Sequence, residues 1–311
     1  MLVAANLTWD AFSQLTVVGV INGAAYGLLG VGFALILGVS GRFHFAYGFT
    51  YALAAYLVFT FAERSGIPFW LAAVLGILAT AVVGVLIERV VYRPLATKAG
   101  ANALLAVFVA SLGLGIAGEN TLRLLYSSAA QQLASAPDGL RTPINWSDSV
   151  VFRWVDVWQV VSAVVLVLAL AALLRFTGLG RSIKATRVNP EMARIIGIDP
   201  NRIYLVCFFI GTLMCGVAAF WFGVKFSVAS DMGFKPVIFA FVVAFLAGTA
   251  SGPVRVFVTG IFVGLIEQWS TMWLEVRWQQ LVVFVVLLLY LVVLAYDPRA
   301  WLRRLRPAGG G

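Results

Sequence analysis

The chain has 311 residues, 62% of them hydrophobic and 11% charged, with a mean hydropathy of +0.97 and a formal net charge of +9. A soluble domain is about half apolar and about a quarter charged, so this chain has too little polar surface to coat a water-soluble body. A soluble enzyme, a nucleic-acid binder and a disordered protein are excluded, and a polytopic membrane protein remains, with helical spans because the apolar runs are long and lack strand alternation.

Met1 to Gln14 has no Lys or Arg, so it lacks the basic region of a signal peptide and no cleavage is expected. A spanning helix needs about 20 mostly apolar residues. The candidates in chain order are 14–37, 45–62, 69–88, 104–122, 157–174, 203–222, 236–250, 254–272 and 279–296, of which 45–62, 236–250 and 254–272 are short or broken. The expected fold is all-α: a single polytopic membrane domain over 1–311, with about eight to nine transmembrane helices and re-entrant or broken segments.

In the first span Gly19, Gly23 and Gly27 are four apart and form one flat stripe, which lets helix backbones approach closely. Asn22 and Tyr26 flank the stripe and are candidates to face a translocation path. Gly38 to Gly48 then interrupts helix, as does Gly248 to Pro253 towards the other end. Paired interruptions of this kind point to a substrate path in secondary transporters, used here as an analogy. His44, the only histidine, reads as a packed neutral ring or as a path residue, and no acidic partner for a proton relay lies nearby in sequence.

Glu119 and Arg123, at i and i+4 near a span end, can satisfy each other. Gly113, Gly115 and Gly118 mimic a dinucleotide fingerprint but lie inside an apolar helix with no preceding strand, so that reading is rejected. The connection 123–156 is long and mixed, with Tyr126, Pro137, Asp138, Arg141, Pro143, Trp146 and Asp148. It is either a docking surface for an external partner or an ordinary surface loop. Cys207 and Cys215 are about 12 Å apart on one helix, too far for a disulfide, and are expected to be buried free thiols.

The connection 175–202 is the most informative. Asn189 can cap free N–H groups, Pro190 suits the first helical position and Glu191 favours the positive helix end. Met192, Ile195 and Ile196 form one apolar stripe, and Gly197 supplies a left-handed stop. Asp199 and Pro200 repeat the start signal. A short helix over 190–196 is therefore predicted, showing an apolar face and Arg194; it is either a plain interfacial helix or a coupling helix that docks on a cytosolic motor. Glu267, within an apolar span, is costly unless paired; a structural partner, nearness to the interface and a pore role all remain open.

Fifteen of the Lys and Arg residues fall in one set of connections and seven in the other. The richer set should be cytoplasmic, which places the N-terminus outside and the C-terminus inside. The tail Asp297–Arg306 is basic and amphipathic, and either rests on the inner leaflet or is solvated.

The stretches Gly178 to Ala185 and Asn189 to Asp199 resemble the cytoplasmic loop of branched-chain amino acid ABC importer permeases, closest to the LivH-type half of the pair. That loop carries a Glu-Ala-Ala-like element with a Gly a few residues on. Glu191, Ala193 and Gly197 match it, while Met192 stands where a small residue is usual. Ile87 to Leu95, with Glu88, Arg89, Tyr92, Arg93 and Pro94, matches a further signature at a span end; similarity also runs from Asn22 to Gly41 and from Phe234 to Glu267, so it covers roughly 15–300. Where the family reads Asn-Phe-Ala-His-Gly-Glu, this chain has His44, Phe45, Ala46, Tyr47, Gly48 and Phe49. Either the site suits a larger, less polar ligand, or these positions lie behind it.

The resemblance implies a bacterial inner-membrane permease of an ATP-driven importer for branched-chain or other hydrophobic amino acids, working by alternating access. It implies a second, LivM-like permease, two cytosolic ABC ATPases gripping Asn189, Pro190, Glu191, Met192, Ala193, Arg194, Ile195 and Gly197, and an external (periplasmic) substrate-binding protein. Asn22, Tyr26, His44, Tyr47 and Glu267 are the translocation-path candidates. The chain has no phosphate-binding loop of its own, so ATP belongs to the partner subunits; no other cofactor, no metal and no nucleic acid is expected. The alternative is a secondary transporter or channel working without an ATPase.

Overall fold

The computed structural model describes residues 9–127, 129–147 and 150–295. The tail Asp297–Arg306 lies outside them. In chain order the helices are α1 (Trp9–Ser40), α2 (Tyr47–Phe59), α3 (Phe69–Leu86), α4 (Arg93–Lys98), α5 (Ala103–Tyr126), α6 (Asp138–Arg141), α7 (Trp154–Phe176), α8 (Gly178–Val188), α9 (Pro190–Ile195), α10 (Pro200–Lys225), α11 (Phe234–Ala247), α12 (Pro253–Ser270) and α13 (Gln279–Ala295). A π-helical turn, Thr60–Arg64, extends α2, and another, Ile87–Tyr92, joins α3 to α4. Among the described residues, six helical stretches are long and apolar enough to cross a membrane; α11 is apolar but shorter. Each of the nine expected spans is occupied by a helix.

The connection 123–156 contains a hairpin that the sequence reading did not anticipate. Strand β1 (Pro143–Ser147) pairs antiparallel with β2 (Val150–Arg153). A side chain remote in sequence holds it: Gln14 of α1 donates to Val151 O (3.0 Å) and accepts from Val151 N (2.9 Å).

The connections at the Ser40 end of α1 include α4, α8, α9 and the α11–α12 turn, and carry 11 of the 18 Lys and Arg among the described residues; this is the basic end. After Ser40 the chain does not leave the bundle. Residues 41–46 turn back along it, and α2 starts well inside. The Tyr47 hydroxyl donates to Gly211 O (3.0 Å), and Phe45 N donates to Ser111 Oγ (3.3 Å). Gly32, beside the Tyr47 hydroxyl, is about 12 Å up α1 from Ser40 at 1.5 Å per residue. Non-helical backbone at such depth is tolerated because it is buried in protein.

The second half repeats this path upside down. α10 runs from the basic end to the opposite one, residues 226–233 turn back into the bundle, and α11 starts beside the start of α2. A Cβ added at Gly233 would lie 1.9 Å from Gly48 O, so only glycine lets these two backbones touch. α12 packs along α1 as α3 packs along α10, and α11 meets α1 as α2 meets α10. The result is an inverted-topology repeat whose two half-helices meet by their positive, N-terminal ends.

The Gly19, Gly23 and Gly27 stripe is packing surface for α12. A Cβ on Gly23 would lie 2.6 Å from Ile261 Cα, and one on Gly260 would lie 2.2 Å from Gly27 Cα. Gly260→Leu should therefore force α1 and α12 apart, at about 1–3 kcal/mol or more; a thermal-unfolding series in detergent, with the exposed Phe262→Leu as control, checks this.

Cys207 and Cys215 are buried and free. Arg123 meets Glu119 at 3.1 Å, as their spacing suggested.

Candidate functional site

Ion pairs hold both re-entrant segments. Arg42, just past Ser40, meets the buried Glu88 in the π-helical turn that follows α3. His44 Nδ1 lies 2.8 Å from the Tyr92 hydroxyl. The Ile87–Leu95 signature thus does a structural job: two of its residues fasten 42–44 in place. Tyr92→Phe should leave the buried ring of His44 short of its partner and cost about 1–3 kcal/mol, read as a lower midpoint of thermal unfolding with insertion unchanged.

In the second half, Lys235 in the first turn of α11 meets Glu267 of α12, Nζ to Oε1 2.7 Å. A cation at a helix N-terminus is disfavoured, and a fully buried carboxylate is disfavoured alone; each relieves the other. Tyr26 on α1 packs against Phe239 in a tilted arrangement, ring centroids 4.3 Å apart. A second pair joins Lys225, at the end of α10, to Asp156 of α7 at 2.5 Å; Asp156 Oδ2 also accepts from Arg153 N at 2.9 Å, capping α7.

Both lysines line a cavity of about 190 Å³ in the half of the bundle away from the basic end. Asn22 and Tyr26 of α1, Tyr51 of α2 and Gln159 of α7 add polar groups, while Leu29, Phe222 and Met232 supply apolar wall. Gln159 is itself oriented by donating to Ile21 O at 3.0 Å. The arrangement offers ammonium groups for a carboxylate, oxygen acceptors for a cation and an apolar wall for a side chain.

Of the expected path residues, Asn22 and Tyr26 line this cavity. Glu267 lies behind it and acts on it through Lys235. His44 and Tyr47 are packed in the core and line none of the cavities described. The sequence reading missed Lys225, Lys235, Tyr51 and Gln159. The lysines were visible in sequence only as connection charges, and nothing local marked the other two.

The second candidate feature is at the basic end. Asn189 Oδ1 accepts from Met192 N at 3.0 Å, capping α9, and Pro190 opens it. Gly197 stops it at φ +87°, and Asp199 Oδ1 accepts from Asn201 N to start α10. Ala193 is buried against the bundle. Met192, Ile195 and Ile196 are 56%, 78% and 65% exposed, so α9 turns its apolar stripe outward.

Residues 15–291 match the family described as branched-chain amino acid transport system / permease component. The high-affinity branched-chain amino acid transport system permease protein LivH of Escherichia coli (strain K12) is 29% identical over 295 residues, which cover 91% of this chain and 94% of LivH. The corresponding protein BraD of Pseudomonas aeruginosa is 27% identical over 90% of this chain and 93% of its own length. The permease protein LivM of Salmonella typhimurium is 26% identical over 70% of this chain and 55% of its own length. No solved structure matches.

Proposed function

The chain belongs to the branched-chain amino acid transport permease family, and from that premise we propose how it is oriented, what it carries and how it is driven. It is a multi-pass inner-membrane protein and the permease subunit of an ABC importer with two permeases, a transport subunit rather than an enzyme. The proposed cargo is a branched-chain or other small hydrophobic amino acid delivered by an external binding protein. Two cytosolic ATPases bind and hydrolyse the ATP.

The excess of Lys and Arg at the basic end puts that end in the cytoplasm, with the N-terminus outside and the C-terminus inside. The lysine-lined cavity then opens towards the outside, where substrate arrives. Its ammonium groups receive the substrate carboxylate, the oxygens of Asn22 and Gln159 receive the amino group, and the apolar wall takes the side chain. A cavity of about 190 Å³ suits a small aliphatic molecule, below the roughly 300–1,000 Å³ of drug-sized ligands. His44 and Tyr47 serve the path by fixing the start of α2 rather than by touching cargo. The hairpin β1–β2, with Trp146 exposed, faces the binding protein.

The observation that carries the reading is the outward apolar stripe of α9 between two sharp chain breaks. It suits a groove on a motor subunit, and ATP-driven closure of the motors moves α8–α9 and switches the access of the cavity. Purification of the tagged chain from its native membrane in mild detergent, followed by mass spectrometry, tests this. An ATPase and a second permease should accompany it. A chain that remains alone after gentle cross-linking would overturn the reading in favour of a secondary carrier or channel.

A further inference from the structure

A second, larger cavity of about 960 Å³ opens at the basic end between α1, α7, α8 and the α11–α12 turn, on a different face of α1 from the lysine-lined one. Its floor is apolar, with Leu35 of α1 and Leu170 and Ala171 of α7 among its residues, while Arg175, Lys184 and Arg187 stand at its mouth. No Asp or Glu lines it. Among the described residues none of the three cations forms an ion pair.

We propose that this cavity is a binding site for an anionic phospholipid of the leaflet at the basic end: the three cations hold the phosphate, and the trough between α7 and α12 takes the upper acyl chains. Three observations choose a lipid over a soluble anion. Most of the wall is apolar, which a free phosphate does not need. The flanking helix faces carry exposed apolar residues, Val165 and Leu168 on α7 and Val254 and Val258 on α12, so the cavity is continuous with surface that contacts bilayer. The cations sit at one end of the apolar trough, as a headgroup sits at one end of its chains. Basic pockets between transmembrane helices are suited to such headgroups. Arg187 lies close to Gly38 at the end of α1, and its partial burial lowers the guanidinium pKa from its ordinary value, a cost that an anionic ligand would offset. The site is separate from the α9 stripe and from the lysine-lined cavity, so the inference requires only that the chain is embedded in a membrane.

The test is native mass spectrometry of the purified permease assembly in mild detergent, titrated with phosphatidylglycerol and with phosphatidylethanolamine of identical acyl chains. The wild type should retain phosphatidylglycerol preferentially. Each cation is worth about fivefold in affinity, so the combined Arg175→Gln, Lys184→Gln, Arg187→Gln variant should lose roughly a hundredfold. Lys184→Gln alone, at an exposed position, gives the single step if the triple variant does not assemble. Ala171→Phe keeps all three charges and fills the floor, and should also lower retention. Equal retention of the two lipids by the wild type, or unchanged preference in the charge variants, would overturn the proposal. So would complete displacement of phosphatidylglycerol by millimolar inorganic phosphate, which would make this a site for a free anion.

Discussion

Lys235→Met is expected to destabilise the protein far more than Glu267→Gln, although the two residues form one ion pair. The reason is unequal burial. Glu267 has no exposed surface, whereas the Lys235 side chain is 49% exposed and reaches the cavity. Removing the lysine strands a charge in the interior and costs about 3–5 kcal/mol. Removing the carboxylate leaves a lysine that water can reach, and costs about 1 kcal/mol or less. The double variant Lys235→Met, Glu267→Leu should recover most of the loss, because no buried charge is then left uncompensated. Thermal unfolding of the detergent-purified variants, completed as a double-mutant cycle, measures this. Equal costs for the two single variants, or no recovery in the double, would show that the pair does not work as described.

The other large effect is expected at α9. Met192→Asp with Ile195→Asp puts charge on the exposed stripe and leaves the buried Ala193 and the caps at Asn189 and Gly197 untouched. Membrane insertion and unfolding midpoint should hardly change, since substitutions at exposed positions usually fall within about 0.5 kcal/mol. ATP-driven uptake in proteoliposomes should fall by more than about tenfold, because central apolar anchors of an interface contribute about 2 kcal/mol or more each. Gly197→Val reaches the same step through the backbone: at φ +87° a β-branched residue is strained, so α9 should tilt or fray. Full-rate uptake in both variants would end the coupling-helix assignment.

These two sites differ in how far the sequence reveals them. α9 is legible because everything that defines it is local: an Asn cap, a Pro at the first turn, three apolar residues at helical spacing and a Gly stop within nine residues. The Lys235–Glu267 pair is not. Glu267 is conspicuous in an apolar run, but its partner lies on another helix and reads as an ordinary connection charge.

The same contrast runs through the fold. The helical class and the places of the helical segments follow from sequence alone, because about 20 apolar residues in a row have few other stable environments, and the glycine stripe of α1 already shows which face packs closely; which segments cross completely does not, since α2 and α11 are half-helices. The re-entries are only half visible. Gly38 to Gly48 announces itself, but its counterpart is 226–233, whose residues read as a connection beyond the bundle; Gly248 to Pro253 is the turn between α11 and α12 at the basic end, with Gly248 at φ +81°. The strand pair 143–147 and 150–153 is tied to α1 through Gln14, far away in the chain. Sequence by itself determined a helical membrane permease with a capped short helix after Asn189, because burial of apolar runs and local capping act over a few residues. Only the tertiary structure decided that α2 and α11 meet end to end at Gly48 and Gly233, and that two lysines, each held by a carboxylate from a neighbouring helix, share one cavity. Those features arise from packing and charge pairing between segments far apart in the chain, where residue spacing carries no signal.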